Sequence, residues 1–136
     1  MQNQIITVLD THPVLMNTLE AGYVFARDFP EGVAEMRRIM DAHPEPLFII
    51  DDVRAARLTV DDLINAANQG SRGEHPLWRH PNSRGIYFIS KDEAIALAAK
   101  GMNSPAFGNT AVKVFPTLED ALKDIERVMA SQADPT

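Results

Sequence analysis

The 136-residue chain contains no cysteine. That absence excludes disulfide bonds, thiolate metal sites and a cysteine nucleophile, and it suits a reducing, cytoplasmic setting. Positive charge is also scarce: 13 Lys and Arg stand against 19 Asp and Glu, a net of −6. General nucleic-acid binding needs surplus cations to displace phosphate counterions, so no nucleic-acid partner is expected. Long apolar runs are missing, which leaves no candidate for a membrane span. The opening "MQNQIITVLD" has neither a basic start nor a long apolar core, and it does not read as a secretory signal. There is no P-loop, no G-x-G-x-x-G and no G-x-S-x-G turn, so neither nucleotide binding nor serine hydrolysis has a motif behind it, and no cofactor is expected.

What is present is an ordinary globular composition, with 45% apolar and 24% charged residues. It reads as one α/β domain over residues 1–131, with a frayed tail at 132–136. "IITVL" and "YVFAR" are β-rich runs, and the stretch between them could hold a strand near Val14 to Leu19 that turns at Ala21-Gly22. "PEGVAEMRRIMDAH" has Val33, Met36 and Met40 at helical spacing, with Pro30 placed for a first turn. "LFIID" and "IYFIS" have the apolar density of buried strands, and "AVKVF" is a fifth. Between and after them, "TVDDLINAANQG", "DEAIALAAKG" and "LEDALKDIERVMA" carry helical periodicity, with Gly70 and Gly101 as stops. The order is ββαβαβαβα: about five strands in a mixed, mostly parallel sheet, with four helices packed against it.

Three helix starts share a chemistry. Thr59 with Asp62, Ser90 with Glu93, and Thr117 with Asp120 each place a hydroxyl three residues before an acid, the capping-box spacing. A hydroxyl engaged with backbone N–H groups is a poor nucleophile, so no catalytic residue is expected here.

In open α/β sheets ligands collect at the carboxyl ends of the strands. Asp51, Asp52 and Ser90 belong to that edge, and a small molecule or an anion held there with the help of Arg84 is one functional reading. An Asp pair could hold magnesium, although strand neighbours point to opposite sides. The plainer reading has one of them cap a loop or pair with Arg54 or Arg57.

A second candidate is "HPLWRHPNSRG", His75 to Gly85. Residues 71–85 carry +2, from Arg72, Arg79 and Arg84 against Glu74, which leaves −8 on the remainder. All four histidines, His12, His43, His75 and His80, precede proline, which disfavours helix at each of them. His75 and His80 therefore cannot share a helical face, and no metal site is expected. Trp78 has a plain use, covering a sheet edge or a helix end. Alternatively Trp78, Arg79, His80 and Arg84 form a contact for a protein partner, since Trp and Arg dominate interface hot spots. Dimerisation through the N-terminal strands or this segment is a further expectation.

The order of elements, together with "LFIIDDVRAARLTVDDLINA", resembles the STAS domain in its bacterial SpoIIAA-like branch. In that family a buried strand ends in Asp, a short loop follows, and a helix starts at a phosphorylatable hydroxyl. Thr59 stands near that hydroxyl's place, over a likeness that spans roughly residues 14 to 130. The resemblance implies a non-catalytic regulatory domain that binds a protein partner, with Thr59 as the phosphorylation position. The family's Asp-Ser-Ser/Ala-Gly-Leu pattern is replaced here by "LTVDDL", and Asp61 and Asp62 would repel an added phosphate. A receiver domain is the competing fold, but Lys113 lies inside "AVKVF" where that fold needs a lysine after the strand.

Overall fold

The computed structural model describes residues 3–71, 77, 80–102 and 112–133. Its elements are β1 (Gln4–Val8), β2 (Val14–Leu19), α1 (Phe25–Ala42), β3 (Leu47–Asp52), α2 (Val60–Ser71), β4 (Ser83–Ile89), α3 (Glu93–Met102), β5 (Val112–Phe115) and α4 (Leu118–Ala133). The five strands form one sheet in the order β1-β2-β3-β4-β5. The β1–β2 hairpin is antiparallel and every other pairing is parallel. The expected α/β class, the mixed sheet and the ββαβαβαβα order are what the chain adopts.

A parallel sheet that grows in one direction by crossovers of one hand must put the connecting helices on one face. Accordingly Met36 and Met40 of α1, Leu63 and Ala66 of α2, and Ile95 and Ala99 of α3 share a core with Leu15, Leu47, Ile49, Ile86, Phe88 and Val112. Among the described residues, α4 is the helix that covers the opposite face. Its Ala121 and Ile125 pack on Val14, Met16, Phe48, Ile50, Tyr87 and Ile89. The strict alternation along β2, β3 and β4 thus divides two cores, and β3 is buried at all six positions. Each fully buried Ile or Leu contributes roughly 1.5–3 kcal/mol relative to exposure. Gly85 (φ 153°) sits where the β3–β4 register shifts, a backbone conformation that a side chain would strain.

Several local expectations are corrected. "YVFAR" is not a strand: the chain turns after Leu19, with the Tyr23 N–H donating to the Glu20 carbonyl at 3.0 Å, and α1 begins at Phe25. Its start is held by Asp28, whose carboxylate accepts the Val24 N–H at 2.8 Å, and by Phe25 stacking on Phe29 one turn later, 4.6 Å between ring centroids. Tertiary contacts override β propensity here. Pro30 accordingly lies inside α1 and not in its first turn. Gly101 is likewise inside α3, which runs to Met102.

The helix starts differ as well. Thr59 and Asp62 do form a reciprocal capping box: Thr59 Oγ1 accepts the Asp62 N–H at 3.0 Å, and the Asp62 carboxylate accepts the Thr59 N–H at 3.1 Å. Thr117 Oγ1 accepts the Asp120 N–H at 3.1 Å. Ser90 does not cap α3. Its Oγ accepts the Asp92 N–H, and the Asp92 carboxylate accepts the Ala94 N–H at 2.8 Å, so the cap is Asp92. Asp and Ser are equally good caps, and the backbone path decides between them.

Candidate functional site

The carboxyl ends of β2 and β3 carry the most unusual chemistry in the molecule. Because successive strand residues face opposite sides, Asp51 points under α1 and α2 while Asp52 points away from them. Asp52 is paired: its carboxylate takes the Arg54 guanidinium at 2.8 and 3.0 Å and the Arg54 backbone N–H at 3.1 Å. Burial alone would raise its pKa, but these Arg54 hydrogen bonds outweigh that and hold it below the ordinary value. The plainer sequence reading, an Asp paired with Arg54, therefore describes Asp52.

Among the described residues Asp51 meets no cation. Burial pushes its pKa up to about 7, against a smaller opposing hydrogen bond from Asn17. Asn17 is its register partner on β2. The polar row continues to β1: Asn17 Nδ2 donates to Gln4 Oε1 at 3.3 Å, and Gln4 Nε2 donates to the Asp28 carbonyl of α1 at 2.7 Å. Gln4 and Asn17 are each only 3% exposed. Gly32 of α1 makes room for this row, since a Cβ there would stand 2.3 Å from Gln4 Oε1. One atom of the row is unserved: Asn17 Oδ1 is buried without a hydrogen-bond partner. Burying such an acceptor costs free energy, and it is a place where a missing donor belongs.

These groups line a cleft with a cavity volume of about 40 Å³. Its walls are otherwise apolar, among them Met36, Leu63 and Phe88, and the lining residues that keep some exposure, Phe25, Phe29, Leu58 and Asp62, mark its mouth. Tyr23 is a further wall. Its pKa is raised by burial and then by the negative charges of Asp51, Asp28 and Asp62, so it stays a neutral phenol. Asp28 is compensated: hydrogen bonds from Arg27 and then from the Val24 N–H hold it at about 2.

Ser90 lies elsewhere, in an open groove of about 360 Å³ between the loop after β3 and the start of α3, with Arg54, Lys91 and Asp92. Arg84 does not belong to this edge. It sits at the amino end of β4, over the Phe48 ring at 4.7 Å and hydrogen-bonded to Gln132 of α4. It lines a separate groove with His12 and His43 at the far end of the sheet. The expected grouping of Arg84 with Asp51 and Ser90 is thus overturned by one strand length. His80 is held on the opposite side from Arg84: Nε2 meets Asp41 of α1 at 2.6 Å and Nδ1 accepts the Asn82 N–H at 3.0 Å. Trp78 and Arg79 lie outside the described residues.

Among the described residues no group of three or more His, Asp or Glu comes together to hold a metal ion. None of the helices described is long and apolar enough to cross a membrane. Thr59 is exposed at the start of α2. Sequence reasoning found Asp51 and missed Gln4, Asn17, Tyr23, Phe25 and Phe29. The one available signal was Asn17, a lone amide inside the apolar run "VLMNTL". Compared with known proteins, the chain matches no family model, no curated protein and no solved structure.

Proposed function

We propose that the chain is a regulatory, protein-interaction domain of the STAS, SpoIIAA-like type, which acts by binding and not by catalysis. The observation that carries this reading is the exposed start of α2. Thr59 is followed by Val60, 39% exposed, and Ile64, 37% exposed, one turn apart on the same helix face. Leu97, 69% exposed, adds an apolar side chain on the neighbouring α3. Apolar side chains around a polar N-terminus make a contact surface for a protein partner, with the cytoplasm as the setting. A phosphate on Thr59 would oppose the Asp62 carboxylate that closes the capping box, so phosphorylation would open the first turn of α2 and alter that surface. A photo-cross-linking residue at Ile64 or Leu97, in cells of the native host, is expected to give one discrete adduct that Val60→Glu removes. The same residue at Lys123 on α4 is the control. Adducts at all three positions alike, or at none, would remove the reading.

A second reading is favoured by the cleft: a small-molecule-binding domain centred on Asp51. What supports it is the conjunction of an uncompensated buried carboxyl, an unserved Asn17 Oδ1 and a cavity beside them. The anion version of that idea has lost its cation, since Arg84 lies at the other end of the sheet.

A further inference from the structure

Apart from the neutral Tyr23 hydroxyl, which can also donate, the polar atoms that face the cleft are acceptors. Asp51 presents a carboxyl group, and Asn17 Oδ1 is buried with nothing to bond. The amide donors nearby are spent, because Asn17 Nδ2 serves Gln4 and Asp51, and Gln4 Nε2 serves the Asp28 carbonyl. The charge has one sign as well. Asp51 and Asp62 line the cleft with no Lys or Arg among its lining residues, and Arg27 at the start of α1 is committed to Asp28 at 2.9 Å. An anion would meet repulsion there from Asp51 and Asp62, with the Tyr23 hydroxyl as its donor. A neutral hydroxyl would bring one donor to several acceptors. A primary ammonium brings three donors and the complementary charge.

The remaining walls fit the rest of such a molecule. A cavity of about 40 Å³ admits two or three heavy atoms, given that one water needs roughly 10–15 Å³. Tyr23, Phe25 and Phe29 bring aromatic rings to the lining, a surrounding that suits a cation, and Phe25, Phe29 and Leu58 give the mouth an apolar surface for a chain that trails out of it. We infer that the cleft under α1 and α2 binds the head of a small primary alkylammonium compound, with Asp51 and Asn17 Oδ1 as its acceptors and the aromatic rings at its sides. This assignment rests on the small-molecule reading and names its ligand class.

Binding would be coupled to protons. An ammonium ion beside Asp51 stabilises the carboxylate, so the bound state sheds a proton that the free cleft carries below about pH 7. The other titratable groups facing it do not reverse this. Tyr23 stays neutral, Asp28 stays ionised against Arg27, and Asp62 lies at the α2 N-terminus. An alkylammonium remains charged over this range, as lysine does with a pKa of about 10.4.

The test is calorimetric titration of the full chain with n-butylammonium, butan-1-ol and butanoate at pH 6 and pH 8, with amide NMR to map the site. Butylammonium is expected to bind about tenfold tighter at pH 8 than at pH 6, shifting the resonances of Tyr23, Phe25 and Phe29. Butanol and butanoate are expected to bind at least tenfold more weakly. Asp51→Asn should weaken butylammonium at least tenfold and flatten the pH dependence, and Asn17→Leu should weaken it without flattening. If butanol or butanoate binds as well as the amine at those resonances, the ammonium assignment fails while the small-molecule reading stands. If none of the three moves them, both fail.

Discussion

The two faces of the sheet treat polar groups in opposite ways. On the α4 face the buried ones sit at the margin and are fully served. Asp124 takes Tyr87 Oη at 2.7 Å, Lys113 Nζ at 2.8 Å and Arg127 Nη2 at 2.8 Å. Burial alone would raise its pKa, yet these three donors hold it at about 2. On the face of α1 to α3 the row Gln4–Asn17–Asp51 runs through the interior and ends on a carboxyl without a cation. Asp51 and Asp52, adjacent on β3, show the contrast in one dipeptide. A fold that can pair Asp52 and Asp124 gains nothing in stability from leaving Asp51 alone, and such exceptions are expected where a site is built.

The largest effect expected follows from that exception. Asp51 titrates at about 7 in the fold, and near 3.9 once unfolded. Its raised pKa favours the folded state fully below about pH 4, an advantage that is lost as pH rises and is gone above about pH 7. The loss is roughly 4 kcal/mol in all, of which roughly 2–3 kcal/mol falls between pH 5 and pH 8. Asp51→Asn keeps the shape and cannot ionise. In urea unfolding at pH 5 and pH 8, its stability relative to the native chain should therefore climb by that amount. A difference that stays flat with pH would erase the contrast between Asp51 and Asp52.

Arg54→Met comes next and has the opposite sign. It strips Asp52 of its cation and two side-chain hydrogen bonds. The pair is partly exposed, with 42% of the Arg54 side chain accessible, so the cost at pH 7 is about 1–2 kcal/mol. A depressed pKa stabilises above the unfolded value and ceases to do so as pH falls. The cost should accordingly be smaller at pH 3 than at pH 7, as falling pH protonates Asp52. An equal cost at both pH values would mean that Arg54 acts through packing alone.

The sequence revealed the alternation of elements because each strand and helix carries its own period. It did not reveal the row beneath α1. Asn17 and Asp51 are neighbours through the β2–β3 register, and Gln4 joins them through the hairpin, so three polar residues far apart in the chain become one feature only when strands pair. "YVFAR" failed for a related reason: Phe25 and Phe29 have β propensity, yet a helix stacks them. Arg84 failed on distance. It is six residues from Ser90, but β4 is extended, and at about 3.3 Å per residue a strand of that length separates its ends by roughly 20 Å. Ser90 was a reasonable cap by composition, and Asp92 took the position because the chain after β4 runs two residues further before it turns.

Tyr87→Phe probes the well-served face and should have the smallest effect. The phenol is buried between Phe48 and Phe115, with ring centroids 6.0 and 5.9 Å away, and its hydroxyl donates to Asp124. Burial first, and then the Asp124 carboxylate, raise the pKa of Tyr87, so the hydroxyl stays protonated and the bond persists at neutral pH. Removing it leaves the ring packing intact and leaves Asp124 with Lys113 and Arg127. The loss is then one hydrogen bond to a charged acceptor that keeps two other donors, about 1 kcal/mol in urea unfolding at pH 7. Redundancy predicts a further result: Lys113→Met in the Tyr87→Phe background should cost more than Lys113→Met alone, because Arg127 is then the last donor. Strict additivity would show that the three donors act independently, and the α4 face would be less buffered than its geometry implies.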